Sequence, residues 1–418
     1  MNWFINLPLE VRLAMLAVVG LLAGGFANYL IYSWAYFPRH ISPWAPPHPN
    51  APLRSGWDRM PMLGWVGLRR EHPIHGKWFW IRPLLIELSV AIALPALYWF
   101  HTQTGGLLPE PSRVPQRIAW FSTWGHTLFV VHGVLFVLMI AATFIDFDEQ
   151  TIPDIITLPG TFLALVVSTL PWWSWLPSYV AWDGESGFVE TIFTVPWPFD
   201  PKWLGGLGLV SGLLIWTTWC FALADRHLVL RRGLSRALGY LCHGLRRNPT
   251  TKWLLGMWAI GAVLLAAVWW VSGDPWRGLL TSLVGLAVGG GAVWSVRIVA
   301  GAAMGQEAMG FGDVTLMAMI GAVVGWQCAA IGFFLAPMVA ILIVLIQFML
   351  TRQPAVPFGP YLCMGTVLAV LGWDVVWNQT FAQYVLLGST LFWVLLIALL
   401  AMGAMLIVWR QIKIRIFA

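Results

Sequence analysis

Gly310-Phe311-Gly312-Asp313 opens the run Asp313-Val-Thr-Leu-Met-Ala-Met-Ile-Gly-Ala-Val-Val-Gly-Trp326. An aspartate stands at the mouth of an apolar helix, behind two glycines. A charge beside a membrane-length apolar segment is costly and reads by default as functional. The glycines allow backbone angles with φ > 0 and let another group approach the main chain closely. One aspartate does little hydrolysis alone, so a partner is expected. The best candidate is Asp146 in Phe144-Ile-Asp146-Phe-Asp-Glu-Gln-Thr-Ile-Pro153-Asp154, which also ends a long apolar run.

Composition sets the solvent. Of 418 residues, 59% are hydrophobic and 10% charged, against about 25% charged in an ordinary soluble domain. Apolar runs of about 20 residues recur, as in a polytopic membrane protein. Many of the 29 tryptophans flank those runs, as interfacial belts do. The net charge of +6 therefore points to cytoplasmic loops and anionic membrane lipids, not to nucleic acid. The four cysteines, Cys220, Cys242, Cys328 and Cys363, form no CxxC pair, so neither a disulfide framework nor a metal site is called for. The first apolar run continues past Gly24-Gly25 and reads as a retained span rather than a cleaved signal.

Charge bias then orders the chain into an all-α polytopic integral membrane protein. About eleven spans are expected: near 12–36, 83–100, 119–145, 155–173, 205–224, 253–272, 278–302, 313–325, 328–350, 361–376 and 384–409. The polar stretch 37–82 carries seven arginine or lysine side chains against Asp58 and Glu71. By the positive-inside rule it is a cytoplasmic loop domain. The hairpin 225–252, with Arg226, Arg231, Arg232, Arg236, Arg246, Arg247 and Lys252, lies on the same side. It reads as a topological anchor and lipid-binding patch, or as a docking element for an assembly partner. Counting spans from the N-terminus brings Asp146 and Asp313 to one membrane face, independently of any motif.

Two carboxyl groups sharing one water make an aspartyl hydrolase. A close pair retains one proton, the ionised member acts as general base, and the neutral member donates to the scissile carbonyl oxygen. The titration belongs to the pair, so neither role attaches to one residue. The bland alternative is that each aspartate only caps a helix. Asp154, just after Pro153, reads as such a cap or as an orienting group. Asp148 and Glu149 read as water-facing. His126 and His132, inside a span, read as packing or hydrogen-bonding residues, and Cys220, Cys328 and Cys363 as small apolar fillers.

These blocks resemble the type IV prepilin leader peptidases, bacterial inner-membrane aspartic enzymes. The resemblance rests on the Asp146 block with Leu158-Pro159 downstream, and on Glu307-Ala-Met-Gly310-Phe-Gly-Asp313-Val-Thr-Leu-Met-Ala-Met-Ile-Gly321. Gly325-Trp-Gln327 and Val356-Pro-Phe-Gly-Pro360 also match. It implies a catalytic pair at Asp146 and Asp313, with Gly310, Gly312, Pro153 and Asp154 shaping the motifs. It also implies cleavage, on the cytoplasmic side, of prepilin or pseudopilin substrates with a basic leader, a glycine before the cut and an apolar helix after it.

The N-terminal loop resembles the family's cytoplasmic domain at Gly25-Phe-Ala-Asn28, Arg59-Met-Pro61-Met-Leu-Gly-Trp65, Leu68-Arg-Arg70 and Ile81-Arg-Pro83-Leu-Leu-Ile-Glu87. In many members this region is associated with N-methylation of the new N-terminus using S-adenosylmethionine. That makes Arg69, Arg70, Arg82 and Glu87 candidate methyltransferase-loop residues. The plainer reading is that Arg82 and Glu87 pack the loop against the membrane. The peptidase itself requires no cofactor.

The chain departs from the family pattern in three places. The loop has no cysteine, where many members carry two CxxC pairs. Thr315 stands where a lysine is common, so the proton affinity of the site is expected to differ. Asp146 and Asp313 lie 167 residues apart, far more than usual. The expected division is a first span (1–36), the loop domain (37–82), a core with the first aspartate (83–170), an insertion with an extra helix pair (171–276), a core with the second aspartate (277–376) and an additional C-terminal span (377–418). Two rival classes stand beside the peptidase: a proton-coupled transporter, whose carboxylates belong nearer the midplane, and an inactive membrane scaffold.

Overall fold

The structure is a computed structural model that describes residues 2–110, 113, 115–170, 176–182, 185–190, 201–224, 249–305, 307, 309–351, 357–381, 384 and 388–417. The basic hairpin's arginines, Cys242 and Val356 lie outside these described residues.

Every expected apolar run is helical. The helices are α1 (Leu9–Ser33), α2 (Ile81–Thr102), α3 (Pro115–Glu149), α4 (Asp154–Ser168), α5 (Gly206–Ala222), α6 (Pro249–Val271), α7 (Asp274–Met304), α8 (Phe311–Thr351), α9 (Gly359–Leu371) and α10 (Ser389–Phe417). Among the described residues, seven are long and apolar enough to cross a membrane, or eight if α9 and the π-helical turns Asp374–Phe381 make one bent span. The expectation of eleven differs for physical reasons. α4 and α5 have 15 and 17 residues, short of the about 20 that a bilayer core requires. The expected spans 313–325 and 328–350 are one element, α8, broken at Gly325 (φ 80°, ψ 166°). Those angles lie in a region open almost only to glycine. Among the described residues the sheet structure is one antiparallel hairpin, Pro177–Trp182 with Glu185–Glu190, in the segment read as an insertion.

Small residues let the helices close up. A Cβ on Gly24 would stand 2.6 Å from the Glu87 Cα, and one on Gly20 would stand 2.7 Å from the Ala91 Cα. α1 and α2 therefore meet backbone to backbone, the small-xxx-small mode of membrane helix pairs. Gly285 and Gly321 do the same for α7 and α8.

The first half of α8 is the centre of the molecule. Leu316, Met317, Ala318, Met319 and Ile320 are fully buried, and a helix apolar on every face needs neighbours all round. α7, α9, α4 and α3 supply them. α6 and α10 lie at the other extreme, with 6% of their span windows buried. α5 and α6 pair with each other: Trp216 Nε1 donates to the Trp258 carbonyl (3.0 Å) and Trp258 Nε1 to Thr217 Oγ1 (3.0 Å). Cys328 and Cys363 are buried free thiols. His132 Nδ1 lies 2.9 Å from His101 Nε2, and His126 stacks on Tyr98.

The loop between α1 and α2 has a small apolar centre at Trp65 and Leu68 and is otherwise ordered by ion pairs. Arg54 makes two 2.8 Å bonds to Glu71, whose side chain is fully buried. Arg70 pairs with Asp58. Burial works against the Asp58 carboxylate, but Arg70 and the Ser55 amide and hydroxyl outweigh it and hold its pKa below the usual range.

Candidate active site

α3 delivers Asp146 in its last turn. The helix stops because Gln150 takes a left-handed conformation (φ 54°), with its amide on the Asp146 carbonyl at 2.8 Å. A non-glycine residue with φ > 0 is uncommon and marks a constrained position. Pro153, in extended backbone, then turns the chain into α4.

Asp313 is the third residue of α8 and lies in its first turn, where the helix dipole favours a negative charge. Parity in the sequence puts the end of α3 and the start of α8 on one face, and in the structure both border a single cavity. Its volume is about 580 Å3, and Tyr36, Gln150, Thr151, Ile152, Asp154, Gly310, Gly312 and Phe358 line it with the two aspartates.

Both aspartate side chains are buried, at 4% and 7% exposure. The Gly359 amide, at the start of α9, donates to Asp146 Oδ2 at 3.1 Å. The two acids are near enough to interact electrostatically. Arg297 of α7 holds the approach to α8. Its Nε donates to the Met309 carbonyl (2.9 Å), its Nη2 reaches Glu307 (3.0 Å), and its guanidinium lies over Phe311. The site thus presents two buried carboxylates, Asp146 with a backbone donor, in one cavity of an apolar bundle. That arrangement can activate a water and protonate a carbonyl oxygen.

Several expectations are corrected here. Neither Gly310 nor Gly312 is left-handed. Close approach holds for Gly312, where a Cβ would stand 2.8 Å from the Ile152 Cβ and 2.9 Å from its backbone N and O. At Gly310 the nearest atom would be Asp313 Oδ2, at an ordinary 3.6 Å. Asp154 is not an N-cap: Pro153 holds that position with no side-chain bond. Instead Asp154 borders the cavity, and Thr315, which stands where a lysine was expected, brings its hydroxyl to Asp154 Oδ1 at 3.4 Å. Asp148 and Glu149 are not water-facing bystanders. Asp148 pairs with Arg82 (2.7 Å) and Arg39 (3.5 Å), and Glu149 accepts the amides of Tyr36 and Phe37 (2.9 Å each).

The four candidate loop residues do not gather. Glu87 alone lines a second cavity, of about 430 Å3, with Gly25, Phe26, Tyr29, Trp44, Arg59 and Trp65 among its walls. Arg70 is committed to Asp58, Arg69 lies over Trp80, and Arg82 reaches toward α3. Among the described residues no three His, Cys, Asp or Glu side chains gather as a metal site.

Residues 247–346, from within the segment read as an insertion through the second aspartate, match the type IV leader peptidase family. The chain is similar to the prepilin leader peptidase/N-methyltransferase of Pseudomonas putida, 28% identical over 49% of this chain and 69% of the relative. With the protein of the same name from Stutzerimonas stutzeri it is 32% identical, over 43% of this chain and 54% of the relative. With that of Dickeya chrysanthemi the likeness is 24% over 88% of this chain and 97% of the relative. No solved structure matches the chain.

Proposed function

We propose that this chain is a membrane aspartic endopeptidase that removes the leader from prepilin or pseudopilin substrates. Asp146 and Asp313 are its catalytic pair. The cavity shared by the two buried carboxylates carries the reading, because each arrives from a different helix and both border one space. The names of the relatives support it and do not favour a transporter or an inert scaffold.

In the reaction, a water held between the carboxyls adds to the scissile carbonyl carbon. One carboxylate takes a proton from that water, and the other carboxyl gives its proton to the carbonyl oxygen. Collapse of the tetrahedral adduct breaks the C–N bond as the first carboxyl protonates the leaving nitrogen and the second carboxylate takes back a proton from an adduct hydroxyl, which re-forms the carbonyl. The Gly359 amide keeps the Asp146 carboxylate oriented through these transfers. The positive-inside bias of 37–82 supports a site at the cytoplasmic face of the membrane, against a substrate's own apolar helix.

A second activity, N-methylation of the new terminus, is supported by the cavity at Glu87. Glu87 accepts from the Met62 amide (2.6 Å), Trp65 Nε1 (2.7 Å) and Asn28 Nδ2 (3.3 Å). Gly25 leaves its Oε1 approachable. A buried carboxylate among Phe26, Tyr29, Trp44 and Trp65 fits a sulfonium cation by charge and by ring-face attraction. S-adenosylmethionine bound there would supply an electrophilic methyl group, with Glu87 and those rings holding its charge.

The test is cleavage of a prepilin-like peptide by the purified protein in detergent, read by mass spectrometry. D146N and D313N are expected to abolish the cut, and D274N, at an exposed acid in α7, to preserve it. Cutting by either dyad variant would refute the pair. E87Q is expected to cut normally and to lose any added methyl group and S-adenosylmethionine binding.

A further inference from the structure

The first aspartate is held in place from outside its own helix. Arg82, in the first turn of α2, donates through Nη1 to Asp148 Oδ1 at 2.7 Å and through Nη2 to the Phe144 carbonyl at 3.1 Å. Its guanidinium also lies 4.7 Å from the centre of the Phe144 ring. It therefore grips α3 two residues before and two residues after Asp146. The next acid, Glu149, is occupied by the Tyr36 and Phe37 amides, and Tyr36 itself lines the cavity of the two aspartates.

A helix end is where backbone order is lowest, and Asp146 lies in the last turn of α3. A planar guanidinium bonded on both sides of it removes the rotation and fraying that would swing its carboxylate. A cation there also complements the negative end of the helix dipole. Arg39 adds a longer contact to Asp148, at 3.5 Å, from a side chain that is 46% exposed.

We infer that Arg82 and Asp148 form a latch that positions Asp146 for peptide cleavage, so that the ordered loop domain sets the geometry of the proteolytic site. They are positioning residues, since neither lines the cavity. This rests on the reading of Asp146 as one of the catalytic pair. It moves Arg82 out of the methyl-transfer group and into the service of proteolysis. It also makes Asp148 unsuitable as a neutral control.

The test uses the full chain in detergent with a peptide bearing a basic leader, a glycine and an apolar segment. R82Q and D148N are expected to lower kcat by about 10- to 100-fold, the scale of a misplacement near 1 Å, with KM within about twofold, since these side chains do not touch the substrate cavity. R82K, which keeps the charge and loses the planar fork, should fall between. The charge swap R82D/D148R is expected to recover most of the lost kcat, and R39A to stay near wild type.

Hydrogen exchange at the Gly359 amide supplies a readout that needs no substrate. R82Q should speed it, because a displaced Asp146 no longer accepts that bond. Folded R82Q and D148N variants with wild-type kcat overturn the latch, as does unchanged protection at Gly359. If D146N still cuts, the catalytic reading fails, and the exchange measurement alone decides whether Arg82 places Asp146.

Discussion

Alanine at Gly359 tests the site at its tightest contact. A Cβ there would stand 2.6 Å from Asp146 Oδ2 and 2.8 Å from Ile152 Cδ1, where ordinary contact begins near 3.4 Å. The backbone at Gly359 opens α9 in helical form, so alanine fits the main chain and the perturbation is steric. The carboxylate must retreat by about 0.8 Å, which stretches the 3.1 Å bond from the Gly359 amide. A hydrogen bond to a charged group is worth about 1.5–3 kcal/mol. A catalytic group displaced by about 1 Å costs roughly 10²-fold in rate, or about 2.7 kcal/mol of transition-state stabilisation. G359A is therefore expected to lower kcat about 100-fold, with a stability loss of about 1–3 kcal/mol from overpacking. The assay is peptide cleavage normalised to folded protein, with thermal unfolding alongside. A folded G359A variant with kcat within about threefold of wild type would refute the claim that Gly359 holds the Asp146 carboxylate.

Four further outcomes are expected. G312A should lower cleavage at least about 10-fold, because its methyl group meets the backbone of Ile152, whereas G310A should stay within a few-fold; equal losses would contradict this geometry. R297M should raise proteolytic nicking at 305–310 and lower kcat, because it frees the Met309 carbonyl and Glu307; unchanged nicking would refute the anchoring. R54A leaves the Glu71 carboxylate buried without its bidentate partner, so the loop should lose about 3–5 kcal/mol, seen as protease sensitivity between α1 and α2. The Asp58 pKa is lower in the fold than in the unfolded chain, so the loop's stabilisation is complete above about pH 4 and is lost as pH falls through the folded value. R70Q should flatten that acid limb by about 1 kcal/mol, a figure reduced because the Arg70 side chain is 38% exposed. Proteolysis across pH 3–6 measures it.

What was legible in the sequence was whatever short-range pattern and charge count determine. The end of α3 and the start of α8 border one cavity, the convergence that two acids at the ends of apolar runs led one to expect. The close packing at Gly312 follows from a glycine beside an acid. The rest depends on partners far away in the chain. Asp148 and Glu149 look like solvated charges until Arg82 and the 36–37 amides arrive from 66 and 113 residues earlier. Asp154 looks like a cap because it follows a proline. Nothing in the sequence marks Gln150 as left-handed, since glycine and asparagine are the usual signals there. The span count differed because apolar length alone does not separate a short helix packed inside the bundle, such as α4, from one that crosses.

The bond between the Gly359 amide and Asp146 joins residues 213 positions apart. It has a consequence for the order in which the protein is made. When α3 has left the ribosome, the first acid exists without the second; when α8 has left, both exist but the donor to Asp146 does not. On the proposed reading of the pair, a chain inserting into the membrane stays inert toward its neighbours until α9 has been synthesised. Two co-expressed fragments divided between α5 and α6 should regain activity only by finding each other.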